Sequence, residues 1–214
     1  MKLGVFDSGI GGEAIAASLR IAFPTATITT VNDSKNVPYG DKPLESVITL
    51  TDAAIQPLLA THYDIIVLAC NTATAAAIEV LRARYPNQTF IGLEPMLKTA
   101  AELTKSKVVA MCATPATLSS LRYQTLVSKF GKDITILEPD CSKWASMIEH
   151  SKVEHEKIAS TINQVCEDRA DVIILGCTHY HWIKALITEV AQGRAQIIDP
   201  SEAIVRRVKQ LLGQ

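Results

Sequence analysis

A stretch ending in cysteine occurs twice in this chain, and that repeat narrows what the chain can fold into. Asp64-Ile65-Ile66-Val67-Leu68-Ala69-Cys70 returns 107 residues later as Asp171-Val172-Ile173-Ile174-Leu175-Gly176-Cys177. Three more pairs keep nearly the same offset. Lys2-Leu3-Gly4-Val5-Phe6 stands 105 before Lys107-Val108-Val109-Ala110-Met111, Ile28-Thr29-Thr30-Val31 stands 106 before Ile134-Thr135-Ile136-Leu137, and Glu94-Pro95 stands 105 before Asp199-Pro200. Four segments agreeing in order imply an internal duplication.

Short Val/Ile runs alternate with longer stretches of helical period, the pattern of buried parallel strands covered by helices. The chain therefore reads as α/β, with two pseudo-symmetric α/β domains and mainly parallel sheets. Strands are expected at Leu3 to Phe6, Ile28 to Val31, Ile65 to Leu68, Phe90 to Leu93, Val108 to Met111, Ile134 to Leu137, Val172 to Leu175 and Ala195 to Ile198. The first domain covers residues 1–95 and the second 96–200, with a C-terminal helix at about 201–214 packing back on the first. The segment from Pro95 to Lys107 reads as a joining piece. Leu44, Val47, Ile48, Ile55, Leu58 and Leu59 share one helical face, as do Ile158, Ile162 and Val165. Pro57 lies inside the first of these helices and is expected to kink or break it, because proline removes a backbone donor. Pro86-Asn87 and Gly193 read as helix stops.

Charge excludes several function classes. The chain carries 21 basic and 22 acidic residues, so it has no long-range field to gather phosphate backbones, and nucleic acid is not an expected partner. No apolar run approaches the ~20 residues of a membrane span, and Asp7 arrives before a signal-peptide core could form, so a cytoplasmic location is expected. The five cysteines, at 70, 112, 141, 166 and 177, show no metal-ligand spacing and no disulfide framework. No metal is expected.

In open α/β sheets, ligands bind beyond the carboxyl ends of the strands. Those ends carry Asp7-Ser8-Gly9-Ile10-Gly11-Gly12, Asn32-Asp33 and Cys70-Asn71-Thr72 in the first half. In the second half they carry Thr114 and Thr117, Glu138 and Cys141, and Cys177-Thr178-His179. Two thiols at equivalent points of a duplicated fold should face one another if the halves pack by a pseudo-twofold axis. One could then remove the Cα hydrogen of an amino acid while the other returns a proton to the opposite face. A thiol at a helix N-terminus is expected to have its pKa drawn down towards neutrality. Asp7 is a candidate partner for Cys70, and His179 for Cys177; of the other histidines, His62, His150, His155 and His181 read as surface groups, with His181 close enough to the site to affect it. Ser8, Asn71, Thr72, Thr117 and Thr178 supply hydroxyl, amide and backbone donors for a small zwitterion.

These motifs resemble those of the glutamate racemases within the aspartate/glutamate racemase superfamily. The likeness runs the length of the chain through Asp7-Ser8-Gly9-Ile10-Gly11-Gly12, Val37-Pro38-Tyr39-Gly40, Ala69-Cys70-Asn71-Thr72-Ala73 and Leu175-Gly176-Cys177-Thr178-His179-Tyr180. Thr114, Thr117, Ser120, Tyr123, Glu149 and Asp199-Pro200 add weaker agreement. The resemblance implies interconversion of L- and D-glutamate without metal or pyridoxal phosphate, supplying D-glutamate for peptidoglycan. It also implies a site in the cleft between the domains, commonly in a homodimer. Cys70 would deprotonate D-glutamate with Asp7 assisting, and Cys177 the L-enantiomer with His179 and Glu149 assisting. Ser8, Pro38, Tyr39, Gly40, Asn71, Thr72, Thr114, Thr117 and Thr178 would hold the substrate. The chain departs from the family where His181 replaces the usual proline and where Asn32-Asp33-Ser34 replaces a Gly-Asp-Thr run.

Other readings remain open at this level. A racemase for aspartate or another amino acid would use the same residues, and a non-catalytic amino-acid-binding protein could keep the fold. Gly9-x-Gly11-x-x-Ala14, with Asp33 ending the next strand, fits a dinucleotide fingerprint. Against that reading, Asp7 sets a carboxylate where pyrophosphate would lie, and a nicotinamide enzyme has no need of paired cysteines.

Overall fold

The computed structural model describes Met1–Gly213. Along the first half run β1 (Lys2–Asp7), α1 (Gly12–Ala22), β2 (Thr27–Asn32), α2 (Leu44–Ala60), β3 (Ile65–Leu68), α3 (Asn71–Arg84) and β4 (Thr89–Gly92). Then follow α4 (Leu97–Leu103), β5 (Val108–Cys112), α5 (Pro115–Leu118), α6 (Leu121–Phe130), β6 (Thr135–Leu137), α7 (Trp144–Glu149), α8 (His155–Glu167), β7 (Val172–Leu175), α9 (Lys184–Ala191), β8 (Gln196–Ile198) and α10 (Ser201–Leu211). Short 3-10 turns lie at Tyr39–Asp41 and Thr178–Ile183. No helix among the described residues is long and apolar enough to cross a membrane.

Contacts divide the chain into two compact units, one of Met1–Glu94 with the segment from Pro200, the other of Pro95–Asp199. Each holds one four-stranded sheet, parallel throughout, in the orders β2-β1-β3-β4 and β6-β5-β7-β8. The two orders are the same once each strand is matched to its repeat, as expected of a duplicated α/β fold. In each sheet the chain reverses direction of growth beside the first strand, which opens a crevice at the carboxyl ends of β1 and β3, and of β5 and β7.

Alternation along the strands decides which side each residue faces. In the first unit Leu3 and Val5 of β1, with Ile65, Val67 and Ala69, pack towards α1 and α10, while Phe6, Ile66, Leu68 and Cys70 pack towards α2 and α3. In the second, Cys112, Ile173, Leu175 and Cys177 join Ile158, Ile162 and Ile187 of α8 and α9, while Val109, Met111, Val172 and Ile174 meet the helices on the other face. Both repeated cysteines thus extend an inward-facing register onto the same kind of face. The helix α10 belongs to the first unit, where Ile204 and Val208 are buried with Ile15 and Leu19 of α1.

Two elements differ from their sequence reading. The helix α2 runs through Pro57 to Ala60 without a break. Only its last turn lies beyond the proline, so little helix depends on the missing donor, and Ile55 and Leu58 on either side are fully buried. The Pro95-to-Lys107 segment is more than a link: α4 forms within it and buries Leu97 and Ala100 in the second unit's core.

Candidate functional site

In the first unit β1 and β3 end side by side, with Phe6 paired to Leu68 and the Ala69 N–H donating to the Phe6 carbonyl at 2.7 Å. Asp7 and Ser8 therefore emerge next to Cys70. Asp7 is fully buried, and its carboxylate accepts from the Gly9 N–H at 3.1 Å. Gly12 is required here, because a Cβ on it would stand 2.6 Å from Asp7 Cβ at the start of α1. Cys70 caps α3, its Sγ accepting from the Ala73 N–H at 3.4 Å and lying 3.3 Å from Ser8 Oγ. Thr74 locks this corner by donating to the Leu68 carbonyl at 3.0 Å and accepting from the Leu93 N–H at 3.1 Å.

At the first position of α3, both the Nδ2 and the Oδ1 of Asn71 are buried without a hydrogen-bond partner. A group left so costs about 1–3 kcal/mol. An amide held dry and unpaired beside a helix N-terminus is suited to a ligand that both accepts and donates, as a carboxylate with an ammonium does. Thr72 is buried beside it.

The expected fall in the Cys70 pKa does not occur. Burial pushes the thiol up to about 11, and the negative charge of Asp7 adds to the rise. Hydrogen bonds from Ser8 and Ala73 oppose this and lose, because desolvation of a fully buried anion outweighs a helix terminus.

Pro38, Tyr39 and Gly40 lie on the loop after β2. The Tyr39 ring is buried 6.4 Å from Phe6, and its hydroxyl donates to Asp33 at 2.7 Å, with Asn36 donating to the same carboxylate. Its phenol is thus engaged within the unit, raised far above its usual range by burial, by Asp33 and by Cys70. Pro38 and Gly40 are half-buried.

In the second unit Gly176 follows β7, and its N–H donates to the Cys112 carbonyl at 2.7 Å. There is little room for a side chain here too, since a Cβ would overlap Met111 Cε and come 3.0 Å from that carbonyl oxygen and 3.1 Å from Ala113 Cβ. Cys177 comes next, 8% exposed, with its Sγ 3.7 Å from His179 Nδ1. The other ring nitrogen, Nε2, lies 2.6 Å from Glu149 Oε2, and both side chains are nearly enclosed. A carboxylate on Nε2 draws the ring proton to that side and leaves the Nδ1 lone pair facing the thiol. Cys177, His179 and Glu149 are therefore brought into one line. Cys177 precedes a 3-10 turn, not an α-helix, so the helix-terminus argument applies to it weakly.

Thr114 and Thr117 also meet at 3.0 Å between hydroxyls, where Thr114 caps α5. Thr178 is buried at the start of its turn. His181, read as a surface group, instead packs inward with its side chain 13% exposed beside Asp199. Sequence reasoning also missed the Tyr39–Asp33 bond and its counterpart, Tyr123 donating to Glu138 at 2.6 Å. The signal was present, since Asp33 and Glu138 end matching strands, but nothing local named their tyrosines.

A parallel α/β fold with a buried thiol and an ionisable partner in each repeat is what an amino-acid racemase of the two-domain kind would present. The chain belongs to the Asp/Glu/hydantoin racemase family, whose model matches residues 13–208. Within it, the chain is similar to the glutamate racemase of Ectopseudomonas mendocina, 36% identical over 216 residues that cover 99% of this chain and 82% of that one. It is also similar in structure to the glutamate racemase from Francisella tularensis in complex with D-glutamate, with a TM-score of 0.82, 28% identity and coverage of 99% and 80%. The glutamate racemase from Thermus thermophilus in complex with beta-chloro-D-alanine gives 0.79 at 30% identity, over 99% and 80%.

Proposed function

We propose that this protein interconverts L- and D-glutamate by moving a proton on and off Cα between two thiols, without a cofactor. The observation that carries the reading is the match between the two halves. At the carboxyl end of an equivalent strand, each half has a buried cysteine with an ionisable neighbour, Asp7, whose charge is felt by Cys70, in one and His179 backed by Glu149 in the other. Cys70 deprotonates the D-enantiomer and Cys177 the L-enantiomer, and the opposite thiol reprotonates the carbanion on its other face.

Several features support this chemistry. A thiol with a pKa of about 11 costs about 5 kcal/mol to ionise at pH 7, but its thiolate is a stronger base than an ordinary one, which removal of a weakly acidic Cα proton requires. Part of the rise comes from Asp7. A substrate ammonium set beside Asp7 would offset that charge and lower the cost as the substrate arrives. Asn71, with the first amides of α3, is suited to the carboxylate, and Ser8, Thr72, Thr114, Thr117 and Thr178 provide further hydroxyls for binding. Pro38 and Gly40 offer backbone groups. The product D-glutamate would serve peptidoglycan precursors, in a cytoplasmic homodimer.

The test is the decay of circular dichroism with L-glutamate and, separately, with D-glutamate, with no cofactor added. Decay of both signals to zero, with solvent deuterium appearing at Cα of the product enantiomer, supports the reading. Flat signals with glutamate and decay with aspartate would move the substrate, and flat signals throughout would leave a binding protein.

A further inference from the structure

His179 has a role in the chemistry just described, whereas the charged group at the other end of its turn does not. Asp199 follows β8, and its side chain is 9% exposed. One carboxylate oxygen accepts from Lys184 Nζ at 2.6 Å, and the other lies 3.7 Å from His181 Nε2. His181 stands inside the Thr178–Ile183 turn and Lys184 begins α9 directly after it. A single carboxylate therefore bonds the residue at the turn's exit and packs against the ring inside it.

The middle of the turn is held separately. Tyr180 is fully buried, its hydroxyl donates to the Cys141 carbonyl at 3.0 Å, and its ring meets Trp144 edge-on at 5.3 Å. A 3-10 turn has poor backbone hydrogen-bond geometry of its own, so such side-chain anchors decide where it sits. His179 lies one residue before Tyr180 and two before His181. Its reach to Cys177 Sγ is already 3.7 Å, so a small slip of the turn would part the ring from the thiol. The His181 Nε2 is enclosed without a hydrogen bond. Burial chiefly, and then the Lys184 charge, lower the affinity of that ring for a proton, while Asp199 opposes them. The contact with Asp199 is thus that of a neutral ring packed against a carboxylate whose charge Lys184 balances.

We propose that Asp199 is a positioning residue for the Cys177 half-site: by bonding Lys184 and packing against the His181 ring, it keeps the Thr178–Ile183 turn where His179 meets Cys177 and Glu149. This rests on the reading that Cys177 takes the proton of L-glutamate. Both directions of a racemase cross the same two barriers, so a defect confined to the Cys177 side makes that barrier the higher one. Its signature is an asymmetric change in primary isotope effects, which a mere loss of folded protein would not produce.

The experiment measures kcat, KM and isotope effects with Cα-deuterated L-glutamate and Cα-deuterated D-glutamate for the wild type, Asp199→Asn and Lys184→Gln. For Asp199→Asn the expected result is a fall in kcat of roughly tenfold, part of the ~10²-fold that an ångström of misplacement can cost. KM should change little, the isotope effect should rise with the L-enantiomer, and it should fall with the D-enantiomer. Lys184→Gln, which alters a half-exposed side chain, should shift both effects in the same sense by less, and it decides the matter if Asp199→Asn does not fold. Unchanged isotope effects, an unchanged kcat, or a rise on the D side in the folded variant would overturn the positioning role. A wild type that does not racemise glutamate would instead overturn the reading beneath it, a result visible before any variant is made.

Discussion

The Asp7→Asn substitution separates two effects that are easily confused, the acidity of Cys70 and its competence as a base. Burial is the largest cause of the raised thiol and the Asp7 charge the second, so removing that charge should make Cys70 more acidic. At pH 8 a thiol of pKa about 11 is about one part in a thousand thiolate, against about a tenth for a thiol at the ordinary 9.0. Alkylation by iodoacetamide follows the thiolate fraction, so wild-type Cys70 should react about a hundredfold slower than an ordinary thiol from ionisation alone. Each unit by which Asp7→Asn lowers the pKa should speed alkylation at pH 8 by about tenfold. Ser8→Ala removes a hydrogen bond that favours the thiolate, so it should act with the opposite sign. Peptide-resolved mass spectrometry over pH 7 to 11 reads each site, with buried Cys112 and Cys141 as internal references. If Asp7 also receives the Cys70 proton during turnover, Asp7→Asn should racemise more slowly although its thiol ionises more readily. A Cys70 midpoint below 9.0 in the wild type, or one that Asp7→Asn leaves unmoved, would refute this account of the site.

Three other outcomes are expected. His179→Ala should lower kcat by about 10²- to 10⁴-fold while the protein stays folded, and Glu149→Gln, which keeps an acceptor on Nε2, should cost about tenfold or less; racemisation assays on both variants check the order. Thr74→Val keeps the shape of a fully buried side chain but removes its bonds to the Leu68 carbonyl and the Leu93 N–H, which keep their own 3.2 Å bond to each other, and urea unfolding should show a loss of about 1–3 kcal/mol. The Asp171 carboxyl is desolvated, which raises its pKa, yet hydrogen bonds from Thr104, Ser106 and Lys105 outweigh that and hold it below its ordinary value. Its stabilisation is therefore full above the unfolded value near ~3.9 and is lost as pH falls through the lower folded value. Urea midpoints from pH 6 to 2 should fall less steeply in Asp171→Asn than in the wild type.

Much of the architecture was legible because its signals are local. Strand positions followed from runs such as Ile65 to Leu68 and Val172 to Leu175, whose burial on both faces is written as unbroken hydrophobicity. The duplication was legible because matched residues stand at a nearly constant offset, and it led to Cys70 and Cys177 before any coordinates. Of the kink or break expected at Pro57, the break does not occur, because only the last turn of α2 lies beyond the proline and buried Ile55 and Leu58 hold the helix on either side of it.

By itself, then, the sequence determined the α/β class, the equivalent ends of two strand sets and the residue types gathered there. Only the tertiary structure decided what those residues feel. Cys70 was expected to be acidic from its place at a helix start, and it is less acidic because burial and Asp7, brought from β1, outweigh the helix. Glu149 is aligned on His179 from 30 residues away, and His181 turns inward to an aspartate at the end of another strand. Periodicity and spacing are properties of neighbours along the chain, whereas desolvation and charge depend on neighbours in space, and those are set only when the sheets and helices pack.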